Sequence, residues 1–255
     1  DAEVLIVRST KVISATIEAG KELSLIIRAG AGVNTIDLAK ASEFGIHVTN
    51  CPGRNTEAVA ELAIGLLIAA DRRIADATAD LRGGKWRKKE YGKAAGLKGR
   101  TLGILGVGSI GKAVVQRAKA LEMNVMAWSR SLTPEKAKEL GVGFCATPAD
   151  VAKVADAISL HLAAKPETKK MINAEFIALL KPGAIIVNTA RGEIMDWAAL
   201  KDALAAKKIR VASDVFDAEP AGGEEPFADT SLAAAMAACT PHIGASTDQA
   251  SEAIA

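Results

Sequence analysis

The chain has 255 residues, of which 49% are hydrophobic and 24% are charged, and its formal net charge is +2. This length accommodates one large domain or two domains of ordinary size. The near-balanced charge shows no bias toward nucleic acid or a membrane surface, so we expect a small-molecule partner. The three cysteines, Cys51, Cys145 and Cys239, lie outside any zinc-binding pattern, and they fit reduced thiols in a cytoplasmic protein. No apolar stretch approaches the roughly 20 residues of a membrane span.

Short apolar runs alternate with helical patterns in the first half of the chain. The runs at 4–7, 23–27 and 46–49 are rich in β-branched residues and predict a βαβαβ opening. A mostly apolar helix is then predicted from Asn55 to about Leu81, long enough to bridge two domains. The segment 82–100, rich in Gly, Lys and Arg, predicts a surface connection and a domain boundary.

Strands and helices alternate again after that segment. The predicted strands lie at 102–105, 125–128, 157–160, 184–188 and 210–215. Such alternation is typical of a parallel sheet with helices on both faces. The strands are nearly continuous apolar runs, which favours burial on both sides of the sheet.

A glycine-rich turn follows the first of these strands. Gly106, Gly108 and Gly111 have the spacing GxGxxG, with Ser109 and Ile110 between the last two. The first glycine permits a tight turn, the second lets the backbone approach a pyrophosphate, and the third allows close helix–strand packing. Because an apolar strand precedes the turn and a helical pattern follows it, we predict a dinucleotide site rather than an ordinary glycine turn.

Polar residues that directly follow the later strands are the candidates for chemistry, because ligands bind at the carboxyl ends of parallel strands. Arg191 lies on a glycine-flanked turn and suits a carboxylate clamp, although a surface salt bridge is the alternative. Asp214 and Glu219 offer carboxylates, which also serve as helix caps and turn formers. His242, between a proline and a glycine, is a candidate proton donor. The other histidines are His47, interpreted as structural, and His161, at the end of a strand on the cofactor side.

Seven segments in fixed order resemble the D-isomer-specific 2-hydroxyacid dehydrogenases, especially the D-3-phosphoglycerate dehydrogenases. They are VRSTKV, RAGAGV, NT…VAEL, GILGVGSIGK, NTARGE, DVFDAEP and TPHIGAST, and the resemblance covers essentially the whole chain. It implies an α/β protein of two Rossmann/flavodoxin-like domains with parallel sheets. We expect a substrate domain at 1–82 and 244–255, truncated at both chain ends, and a dinucleotide-binding domain at 83–243.

The resemblance also implies roles for individual residues. Arg191 would orient the 2-oxo acid, His242 would exchange the proton on its oxygen, and Glu219 would hold the imidazole. Contacts to the cofactor would come from Thr189, Ala190, Asp214 and His242, with Asp214 at the nicotinamide end. Contacts to the substrate would come from Arg8, Ser9, Ala31, Gly32, Val33 and Asn55, with Arg8 facing a phosphate tail. The resemblance implies a homodimer formed through the dinucleotide-binding domain. Related enzymes deliver the basic segment after the tryptophan to a neighbouring subunit, which here would be Trp86 with Lys88, although a solvated basic loop is the favoured interpretation of that segment.

The residues after the predicted strand at 125–128 depart from the usual pattern of an NAD site. An acidic residue is expected there to hold the ribose hydroxyl, but Ser129 and Arg130 occupy the place. An arginine can neutralise a 2′-phosphate, so NADP(H) is favoured over NAD(H).

Three functions follow as hypotheses. The first is an NAD(P)-dependent dehydrogenase of 3-phosphoglycerate, which would belong to serine biosynthesis. The second is an NADPH-dependent glyoxylate or hydroxypyruvate reductase with the same catalytic residues. The third is a non-catalytic, dinucleotide-sensing protein that resembles the corepressors of this fold. Formate dehydrogenases are disfavoured, because they carry Gln where this chain has Glu219.

Overall fold

The computed structural model describes residues 2–8, 10–207, 209–220 and 224–254. The chain divides into two compact units. The first unit comprises Asp1–Ala58, Pro220–Glu225 and Ala245–Ala255, and the second comprises Val59–Glu219 and Pro226–Gly244. Both units are built on parallel sheets, which confirms the predicted α/β class.

The first unit contains a three-stranded sheet in the order β1-β2-β3. Its strands are β1 (Val4–Val7), β2 (Leu25–Arg28) and β3 (His47–Asn50), connected through α1 (Ser14–Ala19) and α2 (Leu38–Glu43). All the pairings are parallel. The core between sheet and helices includes Ile17 and Ile26, both fully buried. The predicted βαβαβ opening is therefore present.

The second unit contains a seven-stranded sheet in which every pairing is parallel. Its strands are β4 (Thr101–Leu105), β5 (Asn124–Trp128), β6 (Gly143–Phe144), β7 (Ala157–Leu160), β8 (Ile185–Asn188), β9 (Arg210–Ser213) and β10 (Ala238–Cys239). The strand order is β10-β9-β8-β7-β4-β5-β6. The order reverses beside β4, and such a switch point is where open α/β sheets bind their ligands.

The remaining helices precede β4, connect the strands of the seven-stranded sheet or follow β10. They are α3 (Thr56–Arg72), α4 (Ile74–Arg82), α5 (Lys88–Tyr91), α6 (Ser109–Ala120), α7 (Pro134–Leu140), α8 (Pro148–Val154), α9 (Ala174–Ala178), the 3-10 turn Gly192–Ile194, α10 (Trp197–Lys207), α11 (Thr230–Ala235) and, in the first unit, α12 (Asp248–Ile254). Within the described ranges, none of the helices combines the length and the apolar character that crossing a bilayer requires.

The prediction of a single helix from Asn55 to about Leu81 is wrong, because the segment forms two helices. Arg73 has a φ of 52°, so the left-handed backbone at this residue separates α3 from α4. The Arg73 guanidinium donates to Glu90 at 2.6 Å and lies over the Tyr91 ring, 4.8 Å from its centroid. The break is held by contacts from a later segment, so local helix signals do not reveal it.

The observed division of the chain also differs from the predicted domains, 1–82 with 244–255 and 83–243. Ala60, Ala63 and Leu67 of α3 share a buried cluster with Leu102 and Ile104 of the seven-stranded sheet. Most of α3 therefore belongs to the second unit, and the division comes at residue 58 rather than residue 82.

Candidate active site

The glycine-rich turn connects β4 to α6, and its first glycine has a backbone that other residues disfavour. Gly106 has a φ of 100°, and its N–H donates to the Trp128 carbonyl at 2.8 Å. A Cβ at Gly106 would lie 2.5 Å from the His161 carbonyl oxygen. Both the conformation and the close contact therefore require glycine.

The other two glycines of the motif have different surroundings. A Cβ at Gly111 would lie 2.1 Å from the Gly106 carbonyl oxygen, whereas a Cβ at Gly108 would have no atom within 4 Å. Gly108 and Ser109 are exposed at the start of α6, and Ile110 follows them. The first turn of α6 has no acidic residue, and no side chain caps it. Open space beside Gly108, at a helix start that no side chain caps, fits a dinucleotide pyrophosphate.

The end of β5 lies beside this turn, because β5 pairs with β4 and Trp128 is in register with Leu105. Ser129, half-buried, and Arg130, exposed, follow directly. The Ser129 carbonyl accepts from the N–H of Leu132 at 3.0 Å, which turns the chain away. A serine and an arginine thus occupy the strand end at which a ribose would be recognised.

The turn after β8 is organised by Asn188, which is fully buried. Its side chain accepts from the N–H of Ala190 and donates to the carbonyl of Arg191, both at 3.0 Å. The Thr189 hydroxyl is buried without a hydrogen-bond partner among the described residues. The Arg191 guanidinium donates to the Ala190 carbonyl at 2.6 Å. Since a guanidinium has five N–H donors, most of them remain for an anionic ligand.

Glu219 and His242 form a charge-assisted pair. The Glu219 carboxylate lies 2.6 Å from His242 Nδ1, and its other oxygen accepts from the N–H of Phe216 at 2.9 Å. Hydrogen bonding to Glu219 raises the pKa of His242 above its ordinary value, although burial and the charge of Arg191 oppose this. Burial acts to raise the pKa of Glu219, but the hydrogen bonds from His242 and Phe216 outweigh it and lower that pKa. The pair therefore favours an imidazolium next to a carboxylate.

Asp214 anchors the loop that carries His242. The carboxylate is 1% exposed and accepts from the Thr240 hydroxyl at 2.6 Å and from the N–H groups of Ile243 and Gly244 at 2.8 Å each. Burial raises the pKa of Asp214. His242 has a φ of 52°, and these bonds hold the loop in that uncommon conformation. These three hydrogen bonds join Asp214 to residues 26 to 30 positions later in the chain. No local sequence pattern therefore predicts them.

The other two histidines have surroundings that differ from those of His242. Burial lowers the pKa of His161 to about 4, so its ring is neutral at neutral pH. Its Nε2 lies 2.8 Å from the Ser159 hydroxyl. His47 is exposed on β3. Among the three histidines, His242 is the one whose surroundings suit proton exchange near neutral pH.

The predicted substrate residues belong to the first unit, apart from Arg191 and His242. Arg8 is exposed directly after β1, and Ser9 lies outside the described residues. The loop 31–33 follows β2 and is half-buried, and the Asn50 side chain donates to the Ala31 carbonyl at 2.7 Å. Asn55, half-buried, directly precedes α3. Their roles toward a substrate stay predictions.

The family model described as "D-isomer specific 2-hydroxyacid dehydrogenase, NAD binding domain" matches residues 64–244. The chain belongs to this family. This confirms the resemblance found in the sequence motifs, and the match covers the glycine-rich turn, the Arg191 turn, Glu219 and His242.

Two relatives with different names are equally similar to the chain in sequence. It is 45% identical to the D-3-phosphoglycerate dehydrogenase of Methanocaldococcus jannaschii, covering 99% of this chain and 48% of that protein. It is also 45% identical to the hydroxypyruvate reductase of Thermotoga maritima, covering 98% and 80% of the two chains. The structure of D-lactate dehydrogenase from Aquifex aeolicus complexed with NAD and lactic acid superposes with a TM-score of 0.87 at 30% identity, covering 100% and 80%. The chain thus spans about half the length of the first relative.

Proposed function

We propose that this protein interconverts D-2-hydroxy acids and 2-oxo acids with NAD(P)(H) as the redox partner. The observation that carries the proposal is the Glu219–His242 pair, 2.6 Å apart, in a chain of this family. Reduction of a 2-oxo acid consumes one hydride and one proton, and the nicotinamide, when bound, supplies the hydride. The protein must supply the proton at the substrate oxygen, and an imidazolium held by a carboxylate suits that task.

The catalytic roles follow from the chemistry of the three side chains. In reduction, the protonated ring of His242 donates a proton to the oxygen of the substrate, and in oxidation the neutral ring accepts it. Glu219 orients the ring through Nδ1, which leaves Nε2 for the substrate. Arg191 binds the carboxylate of the 2-oxo acid with parallel hydrogen bonds. The charge of Arg191 acts on both Glu219 and His242, which supports placing all three at one site.

The cofactor would bind at the end of the seven-stranded sheet. Gly106, Gly108 and Gly111 provide the turn and the open space for the pyrophosphate. We infer a preference for NADP(H), because Ser129 and Arg130 occupy the strand end where an NAD site carries an acidic residue. Thr189 and Ala190 follow β8, the second strand from β4 in the sheet, and the contacts of these two residues and of Asp214 with the cofactor are part of the same proposal.

The proposed substrate pair is 3-phosphoglycerate and phosphohydroxypyruvate. The similarity to a D-3-phosphoglycerate dehydrogenase and the exposed Arg8 at the end of β1 support it. The second candidate is reduction of hydroxypyruvate or glyoxylate with NADPH. The equal identity to a hydroxypyruvate reductase and the Ser129–Arg130 strand end support that alternative.

These proposals are tested by measuring the oxidation of NADH and of NADPH. Phosphohydroxypyruvate, hydroxypyruvate and glyoxylate are compared in parallel as the substrate. Preference for phosphohydroxypyruvate, lost in Arg8→Gln, supports the first substrate pair and a place in serine synthesis. Preference for the other two acids with NADPH supports the reductase. His242→Asn should abolish turnover with any acid and leave cofactor affinity nearly unchanged. Tight cofactor binding by the unaltered protein without turnover would overturn the enzyme proposal in favour of a dinucleotide sensor.

We further infer a cytoplasmic homodimer formed through the second unit. The three cysteines are unpaired, which fits a reducing compartment. Ile74 and Leu81 of α4 are 47% and 56% exposed, and Trp86 just beyond α4 is 79% exposed. An apolar surface of this kind is typical of a protein interface. Light scattering of the unaltered protein and of Trp86→Ser tests the assembly, and a monomeric mass for the unaltered protein would refute it.

A further inference from the structure

Trp197 lies beside the turn that carries Arg191. This tryptophan begins α10 and is 9% exposed. Its indole N–H donates to the carbonyl of Gly192 at 3.0 Å. Because Gly192 directly follows Arg191, this bond fixes the carbonyl at the exit of the Arg191 turn. A buried indole N–H needs such a partner, so the bond also determines where the ring lies.

Phe216, on the segment that carries Glu219, contacts both Trp197 and Glu219. Its ring stacks on Trp197, with centroids 5.9 Å apart and an interplanar angle of 20°. It also packs against Phe227, with centroids 4.8 Å apart and the two rings tilted by 58°. The backbone N–H of Phe216 donates to Glu219 at 2.9 Å. One residue therefore contacts both the Trp197 ring and the carboxylate that holds His242.

The backbones of the two segments also touch. A Cβ at Gly192 would lie 2.1 Å from the carbonyl oxygen of Phe216, so only glycine permits this approach. The two segments leave paired strands, since Asn188 of β8 is in register with Ser213 of β9. Strand pairing brings their first residues together, but the direction of each loop beyond the strands depends on contacts of this kind.

We propose that Trp197 and Phe216 act as a positioning clamp that sets the Arg191 turn against the Glu219–His242 pair. The inference rests on the proposed function and adds two residues to it. Trp197 holds the Arg191 side through its hydrogen bond to Gly192. Phe216 holds the Glu219 side, because one carboxylate oxygen accepts from its N–H and leaves the other oxygen for His242. Stacking of the two rings fixes the distance between the halves, and a site of this type needs supporting contacts to stay in its productive geometry.

Kinetics of three variants test the Arg191 half. Trp197→Phe keeps a stacking ring and removes the N–H, whereas Trp197→Leu removes both. Loss of one buried hydrogen bond corresponds to about a two- to tenfold effect, so we expect Trp197→Phe to raise KM for the 2-oxo acid by that factor with little change in kcat. Trp197→Leu should also lower kcat. Phe176→Leu is the matched control, because Phe176 is a buried ring of the same core on α9 and lies outside the clamp.

Titration of His242 by NMR tests the Glu219 half without any need for turnover. The chain has three histidines, so comparison with His242→Gln assigns its signal. The charged groups that act on His242 are Glu219, Asp214 and Arg191. Phe216→Leu keeps the backbone N–H but removes the ring that stacks on Trp197. The segment is then no longer fixed, so Glu219 is held less well and the pKa of His242 should fall toward its ordinary value. Phe176→Leu should leave that pKa unchanged.

The two experiments separate the failure of the clamp from the failure of the proposed function. If the unaltered protein reduces no 2-oxo acid, the proposed function is wrong, and the titration still decides the clamp. If the Phe216 variant titrates like the Phe176 control, or if the Trp197 variants of an active enzyme show KM values equal to that of the control, the clamp is refuted.

Discussion

Replacement of Glu219 by Gln tests the centre of the proposed mechanism, because it removes one charge and keeps the shape of the side chain. Glu219 raises the pKa of His242 both by accepting its hydrogen bond and by its charge. The amide oxygen of the substituted side chain can still accept the bond, but the negative charge is gone. We therefore expect the pKa of His242 to fall in E219Q, and less imidazolium to be present at neutral pH.

The magnitude follows from the geometry and exposure of the pair. The 2.6 Å contact is charge-assisted, and such bonds contribute about 1.5–3 kcal/mol. The His242 side chain is 47% exposed, and solvent screening reduces the contribution to about 1 kcal/mol. That energy corresponds to about a fivefold loss of proton affinity at His242. Reduction of the 2-oxo acid requires the proton, so the alkaline limb of its pH profile should move to lower pH.

The same pair makes a pH-dependent contribution to stability. The pKa of His242 is raised, so its contribution is complete below the ordinary value of 6.5 and is lost as pH rises through the folded-state pKa. The pKa of Glu219 is lowered from 4.5, so its contribution is complete above that value and is lost as pH falls through the folded-state pKa. E219Q should therefore cost the most unfolding free energy between these two ordinary values.

The assay combines pH profiles of kcat/KM for reduction with urea unfolding at pH 5.5 and pH 9.5. Glu139→Gln, an exposed carboxylate of α7, is the matched control and should change neither measurement. If the alkaline limb of E219Q coincides with that of the parent, Glu219 does not govern the protonation of His242, and the reasoning is refuted.

Three further predictions concern the glycine turn, the strand end and the loop anchor. Gly108→Ala should fold normally and weaken cofactor binding, whereas Gly111→Ala should also destabilise the fold because its Cβ would lie 2.1 Å from the Gly106 carbonyl oxygen; calorimetric cofactor titration and thermal unfolding measure both effects, and equal melting temperatures would contradict the distinction. Ser129→Asp should lower the affinity for NADPH relative to NADH by charge repulsion, and an unchanged affinity ratio would contradict it. Asp214→Asn should cost about 1–3 kcal/mol of unfolding free energy, since an amide satisfies fewer of the buried loop donors, and should lower kcat; parental values in urea unfolding and turnover would contradict it.

Local patterns in the sequence were sufficient to predict the class of the fold and the location of the glycine-rich turn. Alternating apolar runs and helical periods predicted parallel α/β sheets. In the seven-stranded sheet this signal comes from burial on both faces, since every residue of β7 and β8 is buried. The GxGxxG spacing predicted the turn after β4, because the close approach of Gly111 to the Gly106 carbonyl oxygen lies within the motif itself. The candidate residues Arg191, Glu219 and His242 also came from the sequence, through its ordered motifs.

Only the tertiary structure decided how these residues are held. The 2.6 Å contact of His242 with Glu219 joins residues 23 positions apart, and the bonds from the His242 loop to Asp214 span up to 30 positions. The break at Arg73 depends on Glu90, 17 positions later. The stacking of Trp197 on Phe216 likewise joins the start of α10 to the segment after β9. The contacts of His242 and of Trp197 depend on the order in which β8, β9 and β10 pair. A local sequence pattern does not encode that order, because these interactions exist only once the sheet has formed.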